Sequence, residues 1–397
     1  MAASTKSTGQ YLHQAKDFRL ETRDIGRLAP NEVQVAIRST TLCGSDLHYY
    51  QHFSNGDILV REPLCLGHES AGEIVALGSD VTYLSVGDPV ALEVGVPCDT
   101  CELCQSGRYN ICPHLRFRSS GSKFPHYQGT LQQLVNHPAK WVHKLPPELG
   151  FEMGALLEPL SVAIQAVRRA EQRLVSGAGG GCLIFGAGAI GLLVSMAAQA
   201  AGIRKVVMAD IDRGRLQFAR ENGFASVTHT VKPRRGENIQ EKLEIARDTA
   251  NELAGQTWDN GSELGKIPLV FECTGVESCL QTSIYAAKSG GSIVLIGLGV
   301  PVHTLPISEA TAREIDVIPT WRYANTYPRA IQVATASVTG KPLGGKPLPD
   351  LQSLVTHRYN GLQTIDEAFS VAGKKLPRRL PAAESHARKV HAGNIEY

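Results

Sequence analysis

Residues 182–210, CLIFGAGAIGLLVSMAAQAAGIRKVVMAD, decide how this chain is read. The segment reads as a buried strand to Phe185, a glycine turn at Gly186, Gly188 and Gly191, an apolar helix to about Ala201, and a second strand ending on Asp210. Strand, turn, helix, strand and acid in that order are a dinucleotide fingerprint: Gly186 permits the tight turn, Gly188 lets backbone approach a pyrophosphate, and Gly191 lets the helix pack on its strand. The helix N-terminus then turns free N–H groups and a favourable dipole toward the phosphates. Asp210 stands where a carboxylate accepts from a ribose 2′-OH and repels a 2′-phosphate, which favours NAD over NADP.

The fingerprint lies mid-chain, and 397 residues are enough for two domains with separate cores. A formal charge of +2 with 20% charged residues gives no large field of one sign, so neither nucleic acid nor an anionic membrane is indicated as a partner. No run approaches the ~18 apolar residues of a membrane span, and the opening MAASTKSTGQ lacks a signal-peptide core. The expected location is the cytoplasm, where nine cysteines point to metal ligands or core residues and not to disulfides.

Ahead of the fingerprint, residues 17–144 are β-rich and punctuated by Gly and Pro, with strands expected over 31–38, 72–77 and 88–94. A barrel-like all-β first domain is the economical reading. Met153, Leu156, Leu157, Leu160 and Ile164 then give one apolar helix face, interrupted by Pro159, as the link into the nucleotide domain. Beyond Asp210 helices and strands alternate to about residue 313, which implies a doubly wound parallel sheet. The alternation fades past Glu314, so the chain is expected to return to the first domain there and to leave the active site in the cleft between the two.

Two groups of residues carry metal chemistry. CDTCELCQSGRYNIC places Cys98, Cys101, Cys104 and Cys112 in one loop at a spacing that suits a closed tetrahedral four-thiolate zinc site, which folds a lobe and leaves no open position. The second group is looser: Cys43 in TLCGSDLHYY, His68 and Glu69 in CLGHESAG, and Glu158 in ALLEPLSVA. Spacing alone leaves these open between zinc ligands and an ordinary core cysteine with a capping or solvated His-Glu pair.

In this order TLCGSDLHYY, LGHESAG, the cysteine lobe, LLEPLSVA, GAGAIG, FECTGVES, GSIVLIGLG, WRYANTYP and LVTHRY resemble the zinc-dependent medium-chain dehydrogenases, polyol branch, over about residues 17–369. The resemblance implies a Rossmann domain (168–313) and a GroES-like β-barrel catalytic domain (1–167, with the zinc lobe at 95–115, and 314–369). It implies two zincs per chain, one catalytic and one structural, NAD as cofactor, a small polyol substrate such as sorbitol, xylitol or L-arabinitol, and a homotetramer. Cys43, His68 and Glu69 are its catalytic zinc ligands, with Glu158 at or just outside the metal shell.

The same resemblance gives Ser45 and His48 as the proton relay, and Tyr49, Phe117, Glu158, Arg322 and Tyr323 as the polyol pocket. Ile190, Asp210, Arg215, Ile296, Gly297, Leu298, Trp321, Arg322 and Tyr323 join the three fingerprint glycines as cofactor contacts. The implied reaction loses a proton from a secondary hydroxyl under the metal's influence and passes hydride to the nicotinamide. His48 is otherwise readable as a surface or core histidine, and Arg322 as an ion-pair partner of Glu158.

Two departures stand out. SVTGKPLGGKPLPDLQS (337–353) carries extra Gly and Pro, and residues 370–397 lack strand alternation, so the tail is expected to be disordered and the catalytic domain to be short of a strand. Three functions remain in play: an NAD-dependent polyol dehydrogenase, a zinc dehydrogenase acting on threonine or a simple secondary alcohol, and an inactive NAD- or zinc-binding protein, the last motivated by that tail.

Overall fold

The computed structural model describes residues 5–174, 181–373 and 392–396. Six parallel strands lie in the spatial order Val227–Thr230, Val206–Asp210, Cys182–Phe185, Ile267–Glu272, Ala287–Leu295 and Asp316–Pro319. The sequence thus runs outward one way from Cys182–Phe185 and then the other way from Ile267–Glu272, which opens a crevice at the carboxyl ends of those two strands. Cys182 stands opposite both Val206 and Leu269, and the Cys182–Phe185 strand is buried throughout because helices cover both faces of the sheet.

The second sheet has seven strands, mostly antiparallel: Val142–Lys144, Pro89–Leu92, Glu69–Leu77, Glu32–Thr41, Ala392–Glu396 and Val355–Asn360 in order, with Leu134–Pro138 also paired to Glu32–Thr41. A three-stranded sheet of Asp17–Asp24, Lys6–Gln14 and Leu64–Cys65 lies beside it. The expected β-rich first half and parallel second half are both present.

The link between them is two helices, Phe151–Ala155 and Leu157–Leu174, parted at Leu156. Pro159 does not interrupt: it lies in the first turn of the second helix, where a missing N–H costs no intrahelical bond. Leu160, Ala163, Val167 and Ala170 share one core with Ala71, Ala91 and Leu145 of the β-rich half and with Leu192, Met196 and Met208 of the parallel half. This helix is therefore a common spine, and it fixes the cleft on which both halves open.

Two expectations fail. The return to the catalytic half does not begin at residue 314: Asp316–Pro319 is the sixth strand of the parallel sheet, with Ser292 opposite Asp316, and Tyr327–Thr339 packs into the spine's core before Val355–Asn360 joins the other sheet. A four-residue edge strand with alternate positions exposed leaves little apolar signal. Nor is the catalytic sheet short of a strand, because Ala392–Glu396 pairs in parallel with Val355–Asn360 and antiparallel with Ser39, Thr40 and Thr41. The slot between those two strands offers two rows of backbone groups, so pairing is set by the neighbours and not by side-chain alternation in the inserted segment. Of the rest of the expected disordered tail, residues 370–372 end the helix Ile365–Ala372, while 374–391 and Tyr397 lie outside the described residues. Among the described residues no helix is long and apolar enough to cross a membrane.

Candidate active site

Cys43 is the N-cap of helix Gly44–His52, while His68 and Glu69 sit where the chain enters strand Glu69–Leu77. That strand pairs with Glu32–Thr41, which delivers Cys43, so register alone brings the two segments together. One ligand atom each from Cys43, His68 and Glu69 lie within 4.8 Å of one another, with His68 5% and Glu69 6% exposed. Thr41 Oγ1 donates to Glu69 Oε2.

Asp46, which sequence reasoning missed, organises this cluster. It is fully buried, accepts the Gly67 N–H at 3.2 Å, the Ser119 hydroxyl at 2.6 Å and the Cys43 N–H at 3.3 Å, and its Oδ2 lies 3.3 Å from His68 Nδ1. With Nδ1 turned to Asp46, the other ring nitrogen is left for a cation, as a carboxylate behind a metal-bound imidazole requires. The signal was present in TLCGSD, where an acid three residues past a helix cap is a capping-box position.

The donor set fits a divalent ion. Burial pushes the Cys43 thiol and the Glu69 carboxyl up, and burial with repulsion from Glu69 pushes Glu158 up to about 7, against the attraction of His68. Burial disfavours the anionic forms of these groups, and a cation among them would favour those forms again. Glu158, 4% exposed at the start of the spine helix, stands just outside the three-residue cluster with the buried Tyr323 hydroxyl beside it.

Phe117 forms the next wall, its ring 5.4 Å from that of His68 and 3.6 Å from the Arg322 guanidinium. No ion pair joins Arg322 to Glu158 among the described residues; the guanidinium lies between Phe117 and Trp321, 4.9 Å from the latter. Tyr49 is buried and its hydroxyl accepts the Gly121 N–H at 3.2 Å. Ser45 is half-buried two residues past Cys43, whereas His48 is exposed on the same helix, its ring 6.1 Å from that of His52.

The expected cofactor residues collect at the carboxyl ends of the parallel strands. Gly186 takes φ +100°, a Cβ on Gly191 would come within 1.9 Å of the Gly186 carbonyl, and a Cβ on Gly188 would meet only open space. The last is the cradle a pyrophosphate needs. Asp210 ends the second strand, holding the Ala187 N–H at 2.7 Å and the Asp212 N–H at 2.9 Å, with Arg215 half-buried on the next helix. Half-buried Ile190, Ile296 and Gly297 and exposed Leu298 and Trp321 follow the other strand ends.

The four-cysteine lobe is separate. Sulfur–sulfur distances run from 3.5 Å (Cys98–Cys112, Cys101–Cys104) through 3.8 Å (Cys101–Cys112) to 3.9 Å (Cys98–Cys104). A tetrahedron of zinc–sulfur bonds of about 2.3 Å has edges of about 3.8 Å, so the lobe is already shaped for the ion.

A dinucleotide crevice facing a buried Cys-His-Glu cluster defines a metal-assisted, nicotinamide-linked oxidoreductase. Residues 29–147 match the alcohol dehydrogenase GroES-like domain and residues 189–336 the zinc-binding dehydrogenase domain, and the chain belongs to that zinc-binding dehydrogenase family. It is 40% identical to sorbitol dehydrogenase of Gallus gallus over 93% of this chain and 94% of that one. It is 38% identical to L-arabinitol 4-dehydrogenase of Penicillium rubens over 92% and 89%. Its fold matches L-idonate 5-dehydrogenase of Escherichia coli with a TM-score of 0.80 at 23% identity, over 100% of this chain and 99% of that one.

Proposed function

We propose that the chain oxidises a secondary hydroxyl of a polyol (sorbitol, xylitol or L-arabinitol) to the ketose with NAD. The observation that carries the reading is the convergence of Cys43, His68 and Glu69 beneath a wall of Phe117 and Arg322, beside a carboxylate, Glu158. Relatives named for sorbitol and L-arabinitol, at 38–40% identity over nearly the whole chain, supply the substrate class.

Bound at Cys43, His68 and Glu69, zinc would supply the Lewis acidity that makes a secondary hydroxyl ionisable near neutral pH. Glu158 and Arg322 offer an acceptor and a donor for neighbouring hydroxyls, and Phe117 with Tyr323 shields them from water. Ser45 receives the departing proton and His48, at the surface, hands it to solvent. The fingerprint glycines, Ile190, Asp210 and Arg215 hold the dinucleotide, with Ile296, Gly297, Leu298, Trp321, Arg322 and Tyr323 toward its nicotinamide end. A second zinc at the four cysteines braces the lobe.

A cytoplasmic homotetramer completes the proposal. The inactive reading loses its motive, since the strand it supposed missing is filled by Ala392–Glu396. The deciding experiment is steady-state oxidation of a polyol series with NAD and NADP alongside metal analysis. NADH formation with two zincs per chain is expected, and turnover of threonine or ethanol in preference to every polyol would overturn the substrate assignment.

A further inference from the structure

Two segments run side by side past the pocket: residues 58–67, which lead into His68, and residues 117–131, which lead away from Phe117. Their inner ends are joined by backbone bonds, Gly129 N–H to Cys65 O at 2.8 Å and Leu131 N–H to Leu66 O at 2.9 Å. Farther out, side chains take over. Gln128 Oε1 accepts the Cys65 N–H at 2.7 Å, and then His126 Nε2 accepts the Arg61 N–H at 2.8 Å.

His126 is 4% exposed, and its other ring nitrogen, Nδ1, lies 2.7 Å from the Lys123 carbonyl. An N–H can donate only to a bare nitrogen and a carbonyl can only accept, so this ring is the neutral Nδ1–H tautomer. Its own backbone N–H donates to the Glu62 carboxylate at 2.6 Å.

Between His126 and the metal cluster the same loop touches the pocket directly. The Gly121 N–H reaches the Tyr49 hydroxyl, the Ser119 hydroxyl reaches Asp46 at 2.6 Å, and a Cβ on Gly121 would stand 3.0 Å from the Leu59 carbonyl. Leu59 and Phe124, 64% and 59% exposed, form the outer lip, with the Arg61 guanidinium 4.8 Å from the Phe124 ring centre.

We propose that His126 is a positioning residue: as a neutral staple between Arg61 and Lys123 it fixes residues 119–125 against Tyr49 and so sets the pocket's affinity for its polyol. This rests on the substrate reading above. His126 touches no reacting atom, and its removal is felt in KM and not in the hydride step.

The test compares the full-length, zinc-loaded protein with His126→Ala, His126→Asn and His126→Gln. Ala and Asn lose the acceptor for the Arg61 N–H, whereas a Gln carbonyl retains one. Losing one buried hydrogen bond should raise polyol KM about fivefold in the first two and speed amide exchange across 119–125 by a similar factor. The turnover number should stay within about twofold, NAD affinity should be unchanged, and His126→Gln should recover near-parental values. Unaltered KM and exchange in both Ala and Asn would overturn the proposal, as would equal damage in all three with zinc lost. A parent protein that oxidises no polyol would sink the substrate reading instead, and the exchange comparison would still decide the staple.

Discussion

The two cysteine-bearing centres are built on opposite plans. In the lobe four like donors come from one loop, three half-buried and Cys112 buried, with sulfurs already 3.5 to 3.9 Å apart. In the cleft three unlike donors come from two distant segments, with Glu158 a further element away, and all but Cys43 are nearly sealed from solvent. Four thiolates complete a tetrahedron by themselves, whereas three mixed ligands leave a position for an exchangeable oxygen. Coordination that is full braces a fold; coordination that is one short can act on a substrate.

Removing a ligand from the open centre is the harshest test of that contrast. Cys43→Ala should lower kcat/KM about 10⁴-fold, because the lost term is stabilisation of developing negative charge on oxygen. The protein should keep the lobe's zinc but lose the other, and NAD affinity should move by no more than about twofold. Activity within tenfold of the parent, by NADH absorbance at saturating polyol, would remove Cys43 from the chemistry.

The closed centre should fail differently. Cys98→Ser should release the lobe's zinc and lower the melting temperature by about 5 °C or more. It should not be kinetically silent: Asn110 Nδ2 holds the Trp321 carbonyl at 2.7 Å, and the Tyr109 hydroxyl accepts the Asn325 N–H at 2.6 Å while donating to buried Glu93. Those bonds flank Arg322, whose φ of 48° is one a side chain adopts only when its neighbours hold it there. Polyol KM is therefore expected to rise about tenfold with kcat changed by about threefold or less. An equal collapse of kcat would mean that the lobe serves the chemical step after all.

What could be read in advance follows the same divide. The lobe was legible from spacing, since its ligands are local; the cleft was legible only through an ordered set of motifs, since 43, 68 and 158 meet only in three dimensions. Asp46 went unread because its role depends on Gly67, Ser119 and His68 arriving around it. The parallel sheet announced itself through buried apolar strands, but Asp316–Pro319 and Ala392–Glu396, short and set by the backbone of the strands they pair with, carried no pattern of their own.

Asp210 tests whether the cofactor half shares this division between bracing and chemistry, because its carboxylate is placed for either. It ties Ala187 and Asp212 through their N–H groups and stands where a ribose hydroxyl would donate. Asp210→Ser should weaken NAD about fivefold and narrow the NAD/NADP ratio, measured by fluorescence titration. A weaker NAD site with an unchanged ratio would mean that only the bracing role is real.

The smallest expected effect lies in the wall between the two centres. His137 is fully buried: Arg118 Nε donates to its Nδ1 at 3.1 Å, and its Nε2 faces the Glu93 carbonyl at 3.1 Å, so the ring is neutral with the proton on Nε2. Burial, with the Arg118 charge adding to it, pushes this imidazole well below its usual range. Unfolded, the ring takes a proton near pH 6.5; folded, it refuses it until far lower pH, so the unfolded state binds more protons and stability falls as pH drops below about 6.5. The loss should approach 1.4 kcal/mol for each further pH unit, about 1 kcal/mol at pH 5.5. Urea unfolding at pH 7 and pH 5.5 should show that increment in the parent and not in His137→Gln, where nothing at this position titrates. Equal pH slopes would mean that protonated His137 finds a partner in the native wall, and that the path from lobe to cleft is softer than its hydrogen bonds suggest.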